Sequence, residues 1–348
     1  MQVLVIGYGK IGQIKALLWE SLGATVYVHD VSQPAVQKAL NDGLKSYKEC
    51  VTGKKLTIDI STPAEQHYKS LKWAIETISS SIDQILIEKP LASSLEELAN
   101  FTSLEETVKS KLRLNESYFS SAGLLQLMTS IDETPSHIEI ELSKNRLDEI
   151  ARGRFFDHNL GAVGIETPHM LAILQMLHIP LEKICVSYAS LYVDSRQIEN
   201  QGFEMSFIAA GISVLLRSFL GDFTRSESRL IKSNRMARYV KVRTKLNDYV
   251  LEFDPAPDLQ RYHSRLTMRQ SGQSKPVVSE FTDNHLKEHM LHLQNKDPVN
   301  PLLEFENAVY LSSLLNKFRD NLDDIKIDSQ LMGTTPVPIT RKGLQKCQ

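Results

Sequence analysis

Gly7, Gly9 and Gly12 are spaced as G-x-G-x-x-G directly after the apolar run Gln2–Ile6. In such a turn the first glycine allows a sharp strand-to-helix bend. The second lets backbone approach a pyrophosphate, and the third brings the helix close to the strand. Tyr8, Lys10 and Ile11 fill the rest of the turn, where backbone N–H groups and the positive helix end favour phosphate. Asp30 closes the next apolar run, Thr25–His29. An acidic residue at about this distance accepts from the adenosine ribose hydroxyls. It would repel a 2′-phosphate, and Val31, Ser32 and Gln33 bring no cation to hold one, so NAD(H) is favoured over NADP(H). A second reading, in which Asp30 only caps the turn after it, stays open.

These residues need elements to hold them. Apolar positions Ile11, Ile14, Leu17, Leu18 and Leu22 predict a helix ending at Gly23. Helices over Pro34–Leu40, Glu65–Ser79 and Leu95–Ser110 alternate with strands over Leu56–Ile60 and Gln84–Ile87, with Ser93 or Ser94 as a cap for the third. Asn115–Tyr118 is read as the last strand or exit segment. Such alternation makes parallel β-α-β units.

From about Ala122 strand-like segments dominate: His137–Leu142, Lys183–Val193, Glu204–Phe219, Tyr239–Lys245 and Tyr249–Phe253, with a hairpin turn at Leu246-Asn247-Asp248. Helices are expected near Pro168–Leu177 and Leu302–Phe318. The fold class is therefore α/β, an N-terminal Rossmann sheet, doubly wound and parallel, followed by an α+β domain with a large, open, mostly antiparallel sheet. The expected domains are 1–120 for the dinucleotide, 121–320 for substrate and oligomerisation, and 321–348 as a tail or packing arm.

A chain of 348 residues with net charge −2 and 24% charged residues points to an ordinary globular protein, with no nucleic-acid or membrane partner. No apolar run approaches the ~18 residues of a spanning helix, and the N-terminus enters a strand without a leader, so a cytoplasmic location is expected. Cys50, Cys185 and Cys347 lack metal spacing and fit a reducing compartment. His285 and His289 are four apart but have no acidic partner pattern, and no metal is expected.

Three further segments carry a resemblance: Ile58-Asp59-Ile60-Ser61-Thr62-Pro63 followed by His67, then Ile87-Glu88-Lys89-Pro90-Leu91-Ala92, and then Gly161 through His169. With the glycine turn they make the chain similar to the glucose-fructose oxidoreductase, inositol dehydrogenase and MocA family, over most of its length. The resemblance implies that Ser61, Thr62, Pro63 and His67 lie at the cofactor and that Glu88 binds the nicotinamide ribose. It further implies a cis Lys89–Pro90 bond, Lys89 as acid/base group and His169 as its partner. It places Asn115 and Tyr118 on the substrate side and implies a homodimer or homotetramer through the open sheet. Hydride removal from a carbinol carbon also requires removal of the hydroxyl proton, which is the task of Lys89. The alternative reading makes Glu88 and Lys89 a solvated pair at a strand end.

His169 follows Thr167 and Pro168, a cap and a first helical residue, which would set it in a first turn that keeps the imidazole neutral. The family carries Asp four residues before this His; Ile165 stands there, and Glu166 is the substitute at hand. The other reading is a His packed for stability. Arg154, with Lys144, Arg146 and Arg152, is a candidate for a substrate phosphate or carboxylate, against a solvated-loop reading. Nine Lys or Arg between Arg217 and Lys245 decorate a sheet face, a subunit contact or a contact with an anionic group such as a nucleotide diphosphate.

The expected function is NAD(H)-dependent hydride transfer to or from a secondary alcohol or ketone of a sugar, cyclitol or sugar derivative. Two alternatives are an imine or conjugated-double-bond reductase and a non-catalytic nucleotide-binding regulator.

Overall fold

Runs of Val, Ile and Leu without alternating polar residues suit strands covered on both faces, and the N-terminal strands have that character. A computed structural model describes residues 1–50, 54–78, 82–194, 196–226, 229–233, 236–254, 259–295, 300–320 and 322–327. They fall into two units, one of Met1–Ser117 with Leu286–Asn316, the other of Tyr118–His285 with the segment beginning at Lys317.

In the first unit β1 (Gln2–Ile6), β2 (Thr25–His29), β3 (Lys45–Ser46), β4 (Leu56–Ile60), β5 (Ile82–Glu88) and β6 (Leu112–Asn115) pair in parallel in the order β3-β2-β1-β4-β5-β6. This is the doubly wound order of dinucleotide folds. Helices α1 (Lys10–Ser21), α2 (Gln33–Asn41), α3 (His67–Ile78), α4 (Leu95–Thr102) and α5 (Glu106–Lys109) make the connections. The helix expected over Leu95–Ser110 breaks in two. Thr102 and Ser103 hydroxyls bond back to the carbonyls of Ala99 and Asn100, competing with the helix where α4 ends. Asn115 ends β6, and Tyr118 follows in a 3-10 turn, not in the strand. Helix α9 (His285–Asn295) and α10 (Phe305–Asp320) bring late chain back, and Met290 and Leu293 pack into the core around Val3, Trp19 and Val26.

The second unit is built on a nine-stranded sheet: β7 (His137–Ser143), β8 (Ile184–Asp194), β9 (Gln197–Ala209), β10 (Ile212–Phe219), β13 (Ala237–Arg243), β14 (Asn247–Phe253), β15 (His263–Gln270), β16 (Val277–Thr282) and β17 (Asp323–Ile327). Its order is β16-β15-β14-β13-β7-β10-β9-β8-β17, antiparallel except for β7 with β10 and β8 with β17. A separate ribbon pairs β11 (Phe223–Ser226) with β12 (Arg229–Lys232). Helices α6 (Ala122–Ser130), α7 (Leu147–Ala151) and α8 (Ala162–Met176) complete it.

The single strand expected over Glu204–Phe219 is a hairpin. Ala210 and Gly211 both take positive φ, which a two-residue turn of primed type requires. The turn placed at Leu246-Asn247-Asp248 is centred slightly earlier, closed by Thr244 N–H donating to the Asn247 carbonyl at 2.8 Å. The segment after Asp320, expected as a tail or packing arm, supplies β17; Cys347 lies outside the described residues.

Candidate active site

In the first unit the glycine turn is tight. Gly7 has φ +91°, its N–H donates to the His29 carbonyl at 2.9 Å, and a Cβ there would meet Thr62 Cγ2 at 2.9 Å. A Cβ on Gly12 would stand 1.9 Å from the Gly7 carbonyl oxygen, so α1 can approach only through glycine. Gly9 differs: as the N-cap of α1 it has ordinary φ, no side-chain cap, and nothing within 4 Å of an added Cβ. That open backbone at a helix start fits a phosphate group. Lys10 and Ile11, which follow Gly9, are exposed at the start of α1. Tyr8 is buried, its hydroxyl donating to Asp42 at 2.8 Å, while its N–H donates to Asp30 Oδ2 at 2.6 Å. Asp30 Oδ1 accepts from Ser32 N–H at 2.7 Å. The turn-capping reading of Asp30 is thus seen, and a carboxylate oriented by two backbone donors still keeps lone pairs for a further donor.

Thr62-Pro63 is fastened to the segment after β5. The buried His67 ring places Nε2 at 2.9 Å from the Thr62 carbonyl and Nδ1 at 3.2 Å from that of Leu91. Burial pushes its pKa down, so the ring is neutral and donates to one of the two. Ser61 N–H donates to the Ile6 carbonyl at 2.8 Å, and its hydroxyl to Asp59 at 3.2 Å. Lys89 follows the last residue of β5, partly exposed, and its bond to Pro90 is cis, as the family resemblance implied.

Glu88 is anchored by Lys15, which sequence reading overlooked, and by Asn115. Its Oε1 accepts from Lys15 Nζ at 2.9 Å and from Asn115 Nδ2 at 2.6 Å. Lys15 is fully buried on α1 and also bonds Asp59, which takes the Trp19 indole N–H at 2.8 Å. Burial works against the ammonium, but Asp59 and Glu88 outweigh it and hold its pKa above the ordinary value. Asn115, expected on the substrate side, spends its amide on Glu88. The overlooked signal was an Asp in the middle of the otherwise apolar run Leu56–Ile60, where burial demands a partner.

In the second unit α8 begins earlier than expected. Its N-cap is Gly161, with φ +55° and a place where a Cβ would meet Gln201 Oε1 at 2.1 Å; that same oxygen accepts from Ala162 N–H at 3.0 Å. Pro168 thus lies inside the helix, Thr167 is buried with Oγ1 lacking a hydrogen-bond partner, and His169 is two turns in. His169 is therefore not in the first turn as expected but beyond the reach of the helix dipole, which acts only over the terminal turn. His169 and Ile165 are both partly exposed and, four apart, share one helix face.

The His169 ring lies 5.0 Å from that of Tyr118, which also stacks on His285 at 4.8 Å and meets Phe253 edge-on at 5.1 Å. Arg238 donates to the Tyr118 hydroxyl at 2.5 Å and lies 4.0 Å from Glu166. Glu166 is buried and paired with Arg146, so it is the centre of an ion cluster. Burial would lower the Arg238 pKa, yet Tyr118 and Glu166 more than offset this and raise it. Arg154 bonds Glu149, which Lys144 also holds at 2.7 Å. Burial and neighbouring Arg146 lower the Arg154 pKa.

No protein-family model and no curated sequence matches the chain. Solved structures match its fold. KijD10, a 3-ketoreductase from Actinomadura kijaniata in complex with NADP and TDP-benzene, is 13% identical with a TM-score of 0.72, over 94% of this chain and 99% of that one. The UDP-N-acetylglucosamine 3-dehydrogenase GnnA from Acidithiobacillus ferrooxidans is 14% identical with a TM-score of 0.65, over 92% and 97%. The dehydrogenase MviM from Clostridium difficile is 13% identical with a TM-score of 0.64, over 92% and 99%. At these identities the likeness establishes the two-part α/β fold. Among the described residues no helix is long and apolar enough to cross a membrane.

Proposed function

We propose that the chain is an NAD(P)-dependent oxidoreductase transferring a hydride between nicotinamide and a secondary alcohol or ketone of a sugar derivative, with NAD preferred over NADP. The observation that carries it is the oriented Glu88 followed by Lys89 at the carboxyl end of β5, in a sheet whose first turn leaves Gly9 open. Open α/β sheets bind ligands at that end. The solved structures of this fold include a UDP-N-acetylglucosamine 3-dehydrogenase and a 3-ketoreductase in complex with TDP-benzene, which supports a sugar derivative as substrate.

Gly7, Gly9 and Gly12 would take the pyrophosphate, Asp30 the adenosine ribose, and Glu88 the nicotinamide ribose. The cofactor supplies a hydride acceptor or donor. Lys89, as the neutral amine, would take the hydroxyl proton while the carbon loses its hydride, and would return that proton in the reverse direction. His169 and Tyr118 are the groups of the second unit proposed to bind substrate.

A second reading is favoured by Ile165 in the place of the family's Asp, with Glu166 committed to Arg146 and Arg238. Reduction of a C=N or conjugated C=C bond needs a proton donor but can dispense with that carboxylate.

Calorimetry with NAD⁺, NADH and NADP⁺ tests the cofactor, and turnover with panels of sugars, nucleotide sugars, imines and enones tests the chemistry. Lys89→Ala should keep NADH affinity and lose about 10²–10⁴-fold in turnover. Absence of affinity for any pyridine nucleotide, or full activity in that variant, overturns the reading.

A further inference from the structure

We propose that Lys15 is a positioning residue for the cofactor: held from below by Asp59, it fixes Glu88 Oε1 so that Oε2 is left to accept from the nicotinamide ribose hydroxyls. The inference rests on the reading above that a nicotinamide cofactor binds at the end of β5.

Lys15 and Asp59 are both fully buried, while the Glu88 side chain keeps 15% of its surface in solvent. A pair built only to tie α1 to β4 would need Lys15 and Asp59 alone, which balance each other. Glu88 adds a second carboxylate to one ammonium, and both donors aimed at it, Lys15 Nζ and Asn115 Nδ2, go to the same oxygen. Oε2 takes part in neither bond. Asp59 is fixed in turn by Trp19 Nε1 and Ser61 Oγ, so the ammonium cannot follow a wandering Glu88. Replacing such buried ions by apolar residues of similar volume is often neutral or stabilising, so stability does not explain the arrangement. Fixing a semi-exposed carboxylate does, because a side chain held in one geometry loses little freedom when a diol binds.

The test is a cycle on NADH and ADP affinity, ADP lacking the second ribose. Glu88→Gln should weaken NADH about tenfold, as expected for one hydrogen bond to a charged group. The charge-neutral pair Lys15→Met with Asp59→Asn should weaken NADH by a similar factor and leave ADP within twofold. Adding Glu88→Gln to that pair should cost no more than a further twofold. Asn115→Leu, which spares the ion pair, should show the same selective loss and stands in if the paired variant does not fold. Additive losses, equal losses on NADH and ADP, or unchanged NADH affinity in the paired variant and in Asn115→Leu each overturn the proposal alone. A wild-type protein without NADH affinity overturns the oxidoreductase reading with it.

Discussion

In the first unit one ammonium, Lys15, lies between two carboxylates; in the second one carboxylate, Glu166, lies between two guanidinium groups. The first cluster keeps an excess of negative charge, the second an excess of positive charge. Ionic cores are poor devices for stability when an apolar core would serve. Under the proposed function their opposite signs would suit different ligands, a negative excess the cationic nicotinamide ring and a positive one a polarised substrate oxygen. Each cluster also ends near a group with surface access, Glu88 in one case and His169, whose ring faces the buried Tyr118, in the other.

Glu166→Leu would take the shared carboxylate from the buried Arg146 and the partly buried Arg238, and removing one partner of a buried ion cluster costs about 3–5 kcal/mol. Urea unfolding followed by far-ultraviolet circular dichroism should show that loss. A midpoint unchanged from wild type would mean that solvent reaches Arg146 and Arg238 and that the second unit buries no charge cluster.

The first unit should be the acid-sensitive one. His289 is fully buried on α9, and burial pushes its pKa down to about 4. In the unfolded chain the ring titrates near 6.5. Between these values the unfolded chain binds the proton and the fold refuses it. The stability tied to the neutral ring is whole above about pH 6.5 and is lost as pH falls toward 4, on the order of 3 kcal/mol by linkage. His67, lowered for the same reason, adds in the same direction. Both tryptophans, Trp19 and Trp73, belong to this unit, so their fluorescence reports it selectively. His289→Gln should flatten the dependence of the urea midpoint on pH over that interval; an unchanged slope would remove His289 as its source.

Much of the first unit was legible because its signals are local. A glycine turn, an acidic strand end and a Glu-Lys-Pro strand end each need only neighbours in sequence. The buried face of α1 was not. Ile11, Ile14 and Leu17 have helical spacing, yet they are 36%, 46% and 48% exposed, while Gly12, Lys15, Ala16 and Trp19 face inward. Gly12 decides that rotation: only glycine fits against the Gly7 carbonyl, and Lys15 and Trp19, three and seven residues on, must follow it in. Lys15 is then tolerated because Asp59 waits on β4, a pairing across 44 positions that no local pattern reveals. The start of α8 was hidden likewise, since Gly161 is fixed by Gln201 from another strand while Thr167-Pro168-His169 mimics a helix start. The return of Leu286–Asn316 to the first unit depends on Met290 and Leu293 finding that core, which is again a distant contact.

The smallest effect on stability separates ligand geometry from fold geometry within the first unit. Gly12→Ala must displace backbone, because its Cβ would lie 1.9 Å from the Gly7 oxygen, and it should lower the tryptophan-reported midpoint. Gly9→Ala meets nothing within 4 Å, and Gly9 already has φ −72°, so the free protein should be unchanged or up to about 1 kcal/mol more stable through the unfolded chain. Its methyl group would nevertheless stand where a pyrophosphate approaches the N-terminus of α1. NADH and ADP affinity should therefore both fall at least tenfold, about 1.4 kcal/mol. That pattern differs from the NADH-selective loss expected on releasing Glu88. Should Gly9→Ala bind both nucleotides as the wild type does, the turn serves only the fold, and the negative cluster beside it loses its link to a cofactor.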